Sequence, residues 1–173
     1  MKSPSKRLKN RNIDVLKITK YAVLRLYNMM VYMILPFGLM GHLLLVWRRP
    51  EFRQGFWQRY GILKPMFGQP ILIHAASVGE LNAIAPLVQQ LRLDWPVLVT
   101  TTSVTGAARF KQLFTDMPQV EHRFLPFDIG FANRRLLKRI QPRALLLVET
   151  ELWPGLIAAC HQRSIPVWLI NGR

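Results

Sequence analysis

The stretch Pro70-Ile-Leu-Ile-His-Ala-Ala-Ser-Val-Gly-Glu80 decides the fold, because it passes from a strand pattern into a helix pattern. Its first half is an apolar run bounded by Gly and Pro, which is typical of a fully buried parallel strand. Residues 81–91 then carry apolar side chains at helical spacing. In an open α/β sheet, ligands bind beyond the carboxyl ends of the strands. Glu80 is therefore placed where a catalytic base would act, although an acidic residue there also complements the helix dipole.

The strand and helix pattern then repeats along the chain. Four more apolar runs follow, at residues 96–101, 121–127, 144–148 and 166–170, and helical stretches separate them at 105–114, 130–140 and 154–163. Strands alternating with helices of this length predict right-handed βαβ units and a parallel sheet. We therefore expect an α/β fold over residues 68–173, in which a Rossmann-like parallel sheet is flanked by helices.

Polar side chains follow the first four predicted strands, and we expect all of them to face one crevice. They are Ser77 and Glu80, then residues 100–103, then Asp128, and finally residues 149–151. The apolar run before Glu149 and Glu151 predicts a central strand, and a buried carboxylate pair has tunable acid–base character. The alternative is that one of the two carboxylates caps the helix that begins near Trp153.

The remaining reactive side chains indicate neither a metal nor a cofactor. His74 lies in the apolar first strand, as a core or crevice-wall histidine would. The other three histidines show no metal-ligand spacing with one another or with Cys160. A single cysteine excludes an intramolecular disulfide and fits a reducing compartment. The absence of a Walker pattern and of G-x-G-x-x-G argues against NTPases and dinucleotide enzymes.

The first third of the chain predicts a membrane-associated segment. The net charge of +15 is concentrated there, since 13 Lys and Arg oppose two acids up to Phe67. A basic arm, 1–20, precedes an apolar stretch, 21–47, that is long enough to cross a bilayer. Cations flank it on both sides, so the positive-inside rule does not choose an orientation. We favour a helix in one leaflet slightly over a crossing one. A buried core helix is the third alternative.

A connector, residues 48–67, mixes aromatic and arginine side chains at helix-like spacing. Such a mixture settles at the lipid headgroup level. It could equally hold the phosphates of a lipid or of a nucleic acid, and net charge alone does not separate the two. The apolar segment favours the lipid, so we expect no nucleic-acid partner.

Five blocks of sequence carry a family resemblance. They are Phe52-Arg-Gln-Gly-Phe-Trp-Gln-Arg-Tyr-Gly61, His74-Ala-Ala-Ser-Val-Gly-Glu80, Thr100-Thr-Thr-Ser-Val-Thr-Gly106, Phe124-Leu-Pro-Phe-Asp128 and Glu149-Thr-Glu-Leu-Trp-Pro154. With these blocks, the chain from about Phe52 to Arg173 resembles the N-terminal domain of the 3-deoxy-D-manno-octulosonic acid (Kdo) transferases of lipopolysaccharide biosynthesis. An apolar N-terminal anchor also fits that family.

The resemblance implies the N-terminal half of a glycosyltransferase type B fold. In the family this half binds the acceptor, lipid A or its precursor, at the cytoplasmic face of the inner membrane, and the C-terminal half holds the donor, CMP-Kdo. The implied reaction is an inverting displacement in which Glu80 takes the acceptor proton and Glu149 is a second functional carboxylate. The implied acceptor-binding residues are Ser77, Gly79, Thr102, Thr105 and Glu151. The leaving group departs as a stable anion, so no protein acid is required.

The sequence departs from the family at its end. Family members continue into a second domain of similar size, whereas this sequence stops at Asn171-Gly-Arg173. We therefore expect the donor domain to be absent, the chain to be inactive alone, and a separate donor-domain chain to be the partner that would restore transfer. A fragment, a split gene and a shortened paralogue all stay open. The alternative function is a non-catalytic membrane-surface module that binds the lipid A precursor or a partner enzyme.

Overall fold

The computed structural model describes residues 4–149 and 152–170, with side chains from residue 22 onward. Five strands lie in this part of the chain: β1 (Ile71–His74), β2 (Val97–Thr101), β3 (Val120–Phe124), β4 (Ala144–Val148) and β5 (Val167–Ile170). The α-helices there are α1 (Pro4–Arg48), α2 (Val78–Leu91), α3 (Val104–Phe114), α4 (Gly130–Ile140) and α5 (Pro154–His161). Two short 3-10 helices, Pro50–Arg53 and Trp57–Tyr60, lie in the connector.

The five strands form one parallel sheet in the order β3-β2-β1-β4-β5. This confirms the predicted α/β fold with a parallel sheet flanked by helices. β1 is central, with Ile71 opposite both Val97 of β2 and Ala144 of β4. The chain moves outward from β1 in one direction and, after β3, returns to the other side of β1. The β1–β4 junction is therefore the point at which the strand order reverses, where ligands bind in open α/β sheets.

Helices cover both faces of the sheet, and each face has its own core. On one face, Leu72 and Leu145 pack with buried side chains of α4 and α5, including Leu136 and Leu156. On the other face, Ile73, Val97 and Val99 pack with α2 and α3. The helix after β1 and the helix after β4 thus lie on opposite faces of the sheet, which opens the crevice between the carboxyl ends of these two strands.

Some predicted element ends differ from the structure for local reasons. The predicted third strand, 121–127, ends at Phe124 because Pro126 has no N–H for the ladder, and the N–H of Phe127 donates to the Arg59 carbonyl at 2.9 Å. The helix predicted over 81–91 begins at Val78, because Ser77 caps it.

The chain divides into two compact units, Met1–Met40 and Gly41–Arg173, so residues 48–67 belong to the second unit. α1 is continuous from Pro4 to Arg48 and includes Pro36. Within it, Ala22–Arg48 is long and apolar enough to cross a membrane. Met33 is 72% exposed and Phe37 78% exposed. This exposure argues against the alternative of a buried core helix.

Candidate functional site

Glu80 lies in the first turn of α2, directly beyond the carboxyl end of β1, and is 6% exposed. Its carboxylate Oε2 accepts a hydrogen bond of 2.8 Å from the Ala76 backbone N–H. The Ser77 Oγ in turn accepts the Glu80 backbone N–H at 3.1 Å. This arrangement closely resembles a capping box, in which the first and fourth residues of Ser-x-x-Glu satisfy helix-terminal donors. The Ser-x-x-Glu signature at residues 77–80 of the sequence predicts this contact. Glu80 therefore has a structural role as well as its predicted catalytic one.

The other predicted residue of this turn, Gly79, occupies open space. A Cβ built on Gly79 would meet only the Ser77 Oγ, at 3.8 Å, among the described residues. Its φ is not in the left-handed region that favours glycine. Neither packing nor backbone conformation therefore requires glycine here, although glycine weakens a helix by up to about 1 kcal/mol relative to alanine.

The turn after β2 lies beside the turn after β1. The half-buried Thr102 donates from its Oγ1 to the Ala76 carbonyl over 3.5 Å, which links the two strand ends. Ser103 caps α3, since its Oγ accepts from the Gly106 N–H at 3.0 Å. The exposed Thr105 donates to the same Ser103 Oγ at 3.1 Å. Thr102 and Thr105, both predicted acceptor-binding residues, therefore lie at the same edge of the sheet as Glu80.

Glu149 follows β4 on the other side of the strand-order reversal. Its side chain is half-buried, and its backbone N–H donates to the Ile170 carbonyl at 2.9 Å. Its φ of 58° lies in the left-handed region, where a residue with a Cβ is strained. Such strain is often found at ligand-binding sites. Glu151, the remaining predicted acceptor-binding residue, lies outside the described residues.

Asp128, which we expected to face the same crevice, instead accepts hydrogen bonds from α4 and α5. Its Oδ1 accepts from the Leu156 N–H at 2.8 Å and its Oδ2 from the Gly155 N–H at 2.8 Å. Asn133 Nδ2 donates to the same Oδ1 at 2.6 Å. Asp128 thus supplies side-chain acceptors for the first turn of α5, the role that we had considered for Glu149 or Glu151.

His74 forms part of the crevice wall. It is fully buried, and its Nδ1 lies 3.1 Å from the Thr100 carbonyl oxygen. Its ring meets the Trp153 ring edge-on, with centroids 5.2 Å apart. Burial lowers the pKa of His74 to about 4, although the hydrogen bond to Thr100 opposes the change. A neutral His74 therefore joins β1 to the start of α5. Its Nε2 is buried without a hydrogen-bond partner among the described residues, so the expectation of a fully satisfied histidine is wrong for this atom.

Two concavities lie away from these strand ends. One, of about 810 Å³, is lined by segment 61–67 and by cationic side chains of α4. The other, of about 420 Å³, lies beside it near Pro142. Neither contains a predicted site residue. We place the candidate site at the strand-order reversal because the carboxylates and the strain occur there.

Sequence comparisons identify the family of the chain. A family described as "3-Deoxy-D-manno-octulosonic-acid transferase (kdotransferase)" matches residues 54–173. The 3-deoxy-D-manno-octulosonic acid transferase of Haemophilus influenzae is 41% identical over 136 residues, covering 75% of this chain and 31% of the relative. The Bordetella pertussis protein of the same name is 38% identical over 143 residues, covering 75% and 33%. A probable mitochondrial 3-deoxy-D-manno-octulosonic acid transferase of Arabidopsis thaliana is 35% identical over 161 residues, covering 87% and 34%.

The chain spans about a third of the length of the curated relatives it matches. The matched region includes the whole parallel sheet and every predicted site residue. The parallel α/β fold agrees with the match. The chain therefore belongs to the 3-deoxy-D-manno-octulosonic acid transferase family.

Proposed function

We propose that this chain forms the acceptor half of a Kdo transferase active site, with Glu80 as the base. The observation that carries the proposal is the buried Glu80 carboxylate, held by the Ala76 N–H at the carboxyl ends of the neighbouring strands β1 and β4. A base must lie within hydrogen-bonding reach of the proton that it abstracts. The hydrogen bond at the start of α2 fixes the position of the Glu80 carboxylate, as a catalytic base requires.

The proposed step is a single displacement at the anomeric carbon of Kdo. An acceptor hydroxyl oxygen forms the new bond to that carbon while its proton passes to the Glu80 carboxylate. The bond from the carbon to the CMP phosphate oxygen breaks, and the electron pair leaves with CMP. Because CMP is a stable anion, its departure needs no protein acid. Glu149, across the reversal, would stabilise the positive charge that develops on the sugar.

The acceptor would approach over Gly79. A glycine that neither packing nor φ requires is explained if a ligand passes close to the backbone. Gly79→Ala should therefore stabilise the fold by roughly 0.5 to 1 kcal/mol and yet raise the KM for the acceptor. The control, in the chimera described below, is Asp116→Asn at an exposed site just beyond α3, which should leave the acceptor KM unchanged. An unchanged acceptor KM in Gly79→Ala would contradict the proposed approach.

We also propose that α1 anchors the chain at the cytoplasmic face of the inner membrane. Residues 22–40 belong to the first unit and carry exposed apolar side chains such as Met33 and Phe37. As a helix they extend over roughly 28 Å, close to the hydrocarbon thickness of about 30 Å. In the reaction that the family resemblance implies, the acceptor, a lipid A precursor, and the donor, CMP-Kdo, meet at that face. The donor half would come from further polypeptide or from a separate chain.

A chimera tests the proposal. Residues 54–173 replace the matched part of the Haemophilus influenzae relative, and Kdo transfer from CMP-Kdo to lipid IVA is measured. We expect transfer by the chimera, a loss of at least 100-fold in Glu80→Gln, and none in the 173-residue chain alone. Asp116→Asn, an exposed carboxylate at the end of α3, is the control and should stay active. Wild-type activity in Glu80→Gln would remove Glu80 from the role of base.

The alternative, a non-catalytic membrane-surface module, draws support from the capping role of Glu80, which would favour a glutamate here without any chemistry. It predicts lipid IVA binding that is insensitive to Glu80→Gln and Glu149→Gln. It also predicts a chimera without transfer activity. The first proposal predicts an active chimera and a dead Glu80→Gln variant, so the two are separable.

A further inference from the structure

A buried arginine, Arg59, has no anionic partner in the part of the chain that the structure describes. It is 7% exposed, its Nε is buried without a hydrogen-bond partner, and no described carboxylate forms an ion pair with it. Its guanidinium carbon lies 4.6 Å from the centroid of the Phe124 ring. A cation–π contact offsets part of the desolvation cost, but a buried cation normally also has a counter-ion. Arg59 therefore has an unused capacity to bind an anion.

A second buried nitrogen without a partner lies in the same cluster. His42 is 7% exposed, its Nδ1 lies 2.8 Å from the Tyr60 hydroxyl, and its Nε2 is buried and unpartnered. When Tyr60 donates to Nδ1, the neutral imidazole carries its own N–H on Nε2. Burial raises the pKa of Tyr60, and the positive charge of Arg59 partly opposes that rise, so the two side chains are close. Among the described residues, two buried donors in one cluster therefore lack acceptors.

The walls of the cluster are aromatic rather than acidic. The His42 ring stacks on Phe56 at 5.2 Å and meets Phe127 edge-on at 5.2 Å. Tyr60 contacts both of those rings, at 5.3 and 5.6 Å. Burial lowers the pKa of Arg59, as expected where no carboxylate compensates. The charge of Arg59 also lowers the pKa of His42, after the larger effect of burial, so the two groups lie near each other. The Arg59 Nε–H and an imidazole N–H in an apolar cluster together suit a phosphate.

The position of the cluster in the chain indicates the source of the phosphate. His42 is two residues beyond Met40, where the first unit and its apolar segment, residues 22–40, end. Trp47 and Trp57 are 73% and 63% exposed, and exposed tryptophans mark the headgroup level of a membrane. We propose that Arg59 and His42 form a receptor for the phosphate group of a membrane lipid. The proposal rests on the membrane association proposed above but not on any catalytic role of Glu80.

Thermal unfolding of the full chain in dodecyl maltoside tests the receptor. The probes are dihexanoyl phosphatidic acid, dihexanoylglycerol without the phosphate, and inorganic phosphate. We expect phosphatidic acid to raise the melting temperature saturably, inorganic phosphate to act at least tenfold more weakly, and dihexanoylglycerol to have no effect. Arg59→Met should weaken phosphatidic acid binding at least tenfold, and His42→Gln should weaken it less. Arg49→Gln, which removes the same charge from an exposed site, should leave binding unchanged.

The ligand-free melting temperature separates a receptor from a structural cation. Arg59→Met keeps the packing on Phe124 and removes an uncompensated buried charge, so its ligand-free melting temperature should equal or exceed that of the wild type. Arg59→Lys, which keeps the charge without the planar fork, should also weaken binding at least tenfold. A lower ligand-free melting temperature in Arg59→Met, or wild-type binding in either variant, overturns the proposal. Equal affinity for inorganic phosphate and phosphatidic acid overturns the assignment to a lipid. If inorganic phosphate binding is also lost in Arg59→Lys, the site is a phosphate site that does not require a lipid. An equal loss in Arg49→Gln would show that the attraction is unspecific.

Discussion

Acid should destabilise the second unit, Gly41–Arg173, in part through His74. This side chain is fully buried and its pKa is lowered by burial from 6.5 to about 4. Between those two values the unfolded chain binds a proton that the folded chain does not, so stability falls as the pH falls. One pKa unit corresponds to about 1.4 kcal/mol, so His74 should account for a loss of about 3 kcal/mol between pH 7 and pH 4.

Urea unfolding of the full chain in dodecyl maltoside, followed by circular dichroism, measures this loss. His74→Gln keeps a donor for the Thr100 carbonyl but does not titrate, so its stability should fall by about 3 kcal/mol less than that of the wild type. His161→Gln, at the exposed end of α5, should follow the wild type. Equal losses in wild type and His74→Gln would refute the reasoning. An NMR titration that places the His74 pKa near 6.5 would refute it directly.

Three further predictions concern Asp128, Glu149 and the buried Cys160. Asp128→Ala should lower the free energy of unfolding, measured with urea, by about 2 to 4 kcal/mol, because three hydrogen bonds to the carboxylate are lost. Asp128→Asn should lower it less. A loss below about 0.5 kcal/mol in Asp128→Ala would contradict the capping role. Glu149→Gly should relieve left-handed strain and raise stability by up to about 1 kcal/mol, as should the control Gln141→Gly at φ 49°, but only Glu149→Gly should abolish transfer by the chimera. Cys160 should react slowly with a thiol-specific disulfide reagent at pH 8, because burial raises the pKa of its thiol to about 11; reaction as fast as that of a free thiol would show that it is accessible and ionised.

The parts of the fold that depend on local pattern were predictable from the sequence. β4 and α4 have the predicted limits, 144–148 and 130–140, because a continuous apolar run and a regular helical period define them. The end of β3 was missed, although Pro126 offered a signal for it. The strand order was not predictable from periodicity, because it depends on where the chain crosses the sheet after β3.

The site was predictable where its contacts are local. Ser77 and Glu80 are three residues apart, and their mutual contact follows from a capping signature. Asp128 and the first turn of α5 are far apart in sequence, so that contact follows only from the tertiary packing. The same holds for Arg59. Its connector has the composition of an interfacial segment, yet packing against Phe124 buries the guanidinium.

The capping role of Glu80 and its proposed role as a base can be separated by two substitutions. Glutamine retains a side-chain oxygen for the Ala76 N–H, as capping boxes accept Gln or Glu, but it cannot take a proton at neutral pH. Alanine removes both functions. A residue that only caps α2 predicts an active Glu80→Gln chimera and a Glu80→Ala chimera that is less stable by about 1 kcal/mol. A base predicts that both chimeras are inactive while only Glu80→Ala loses that stability. The second pattern would show that the contact which begins the helix also positions the reacting carboxylate.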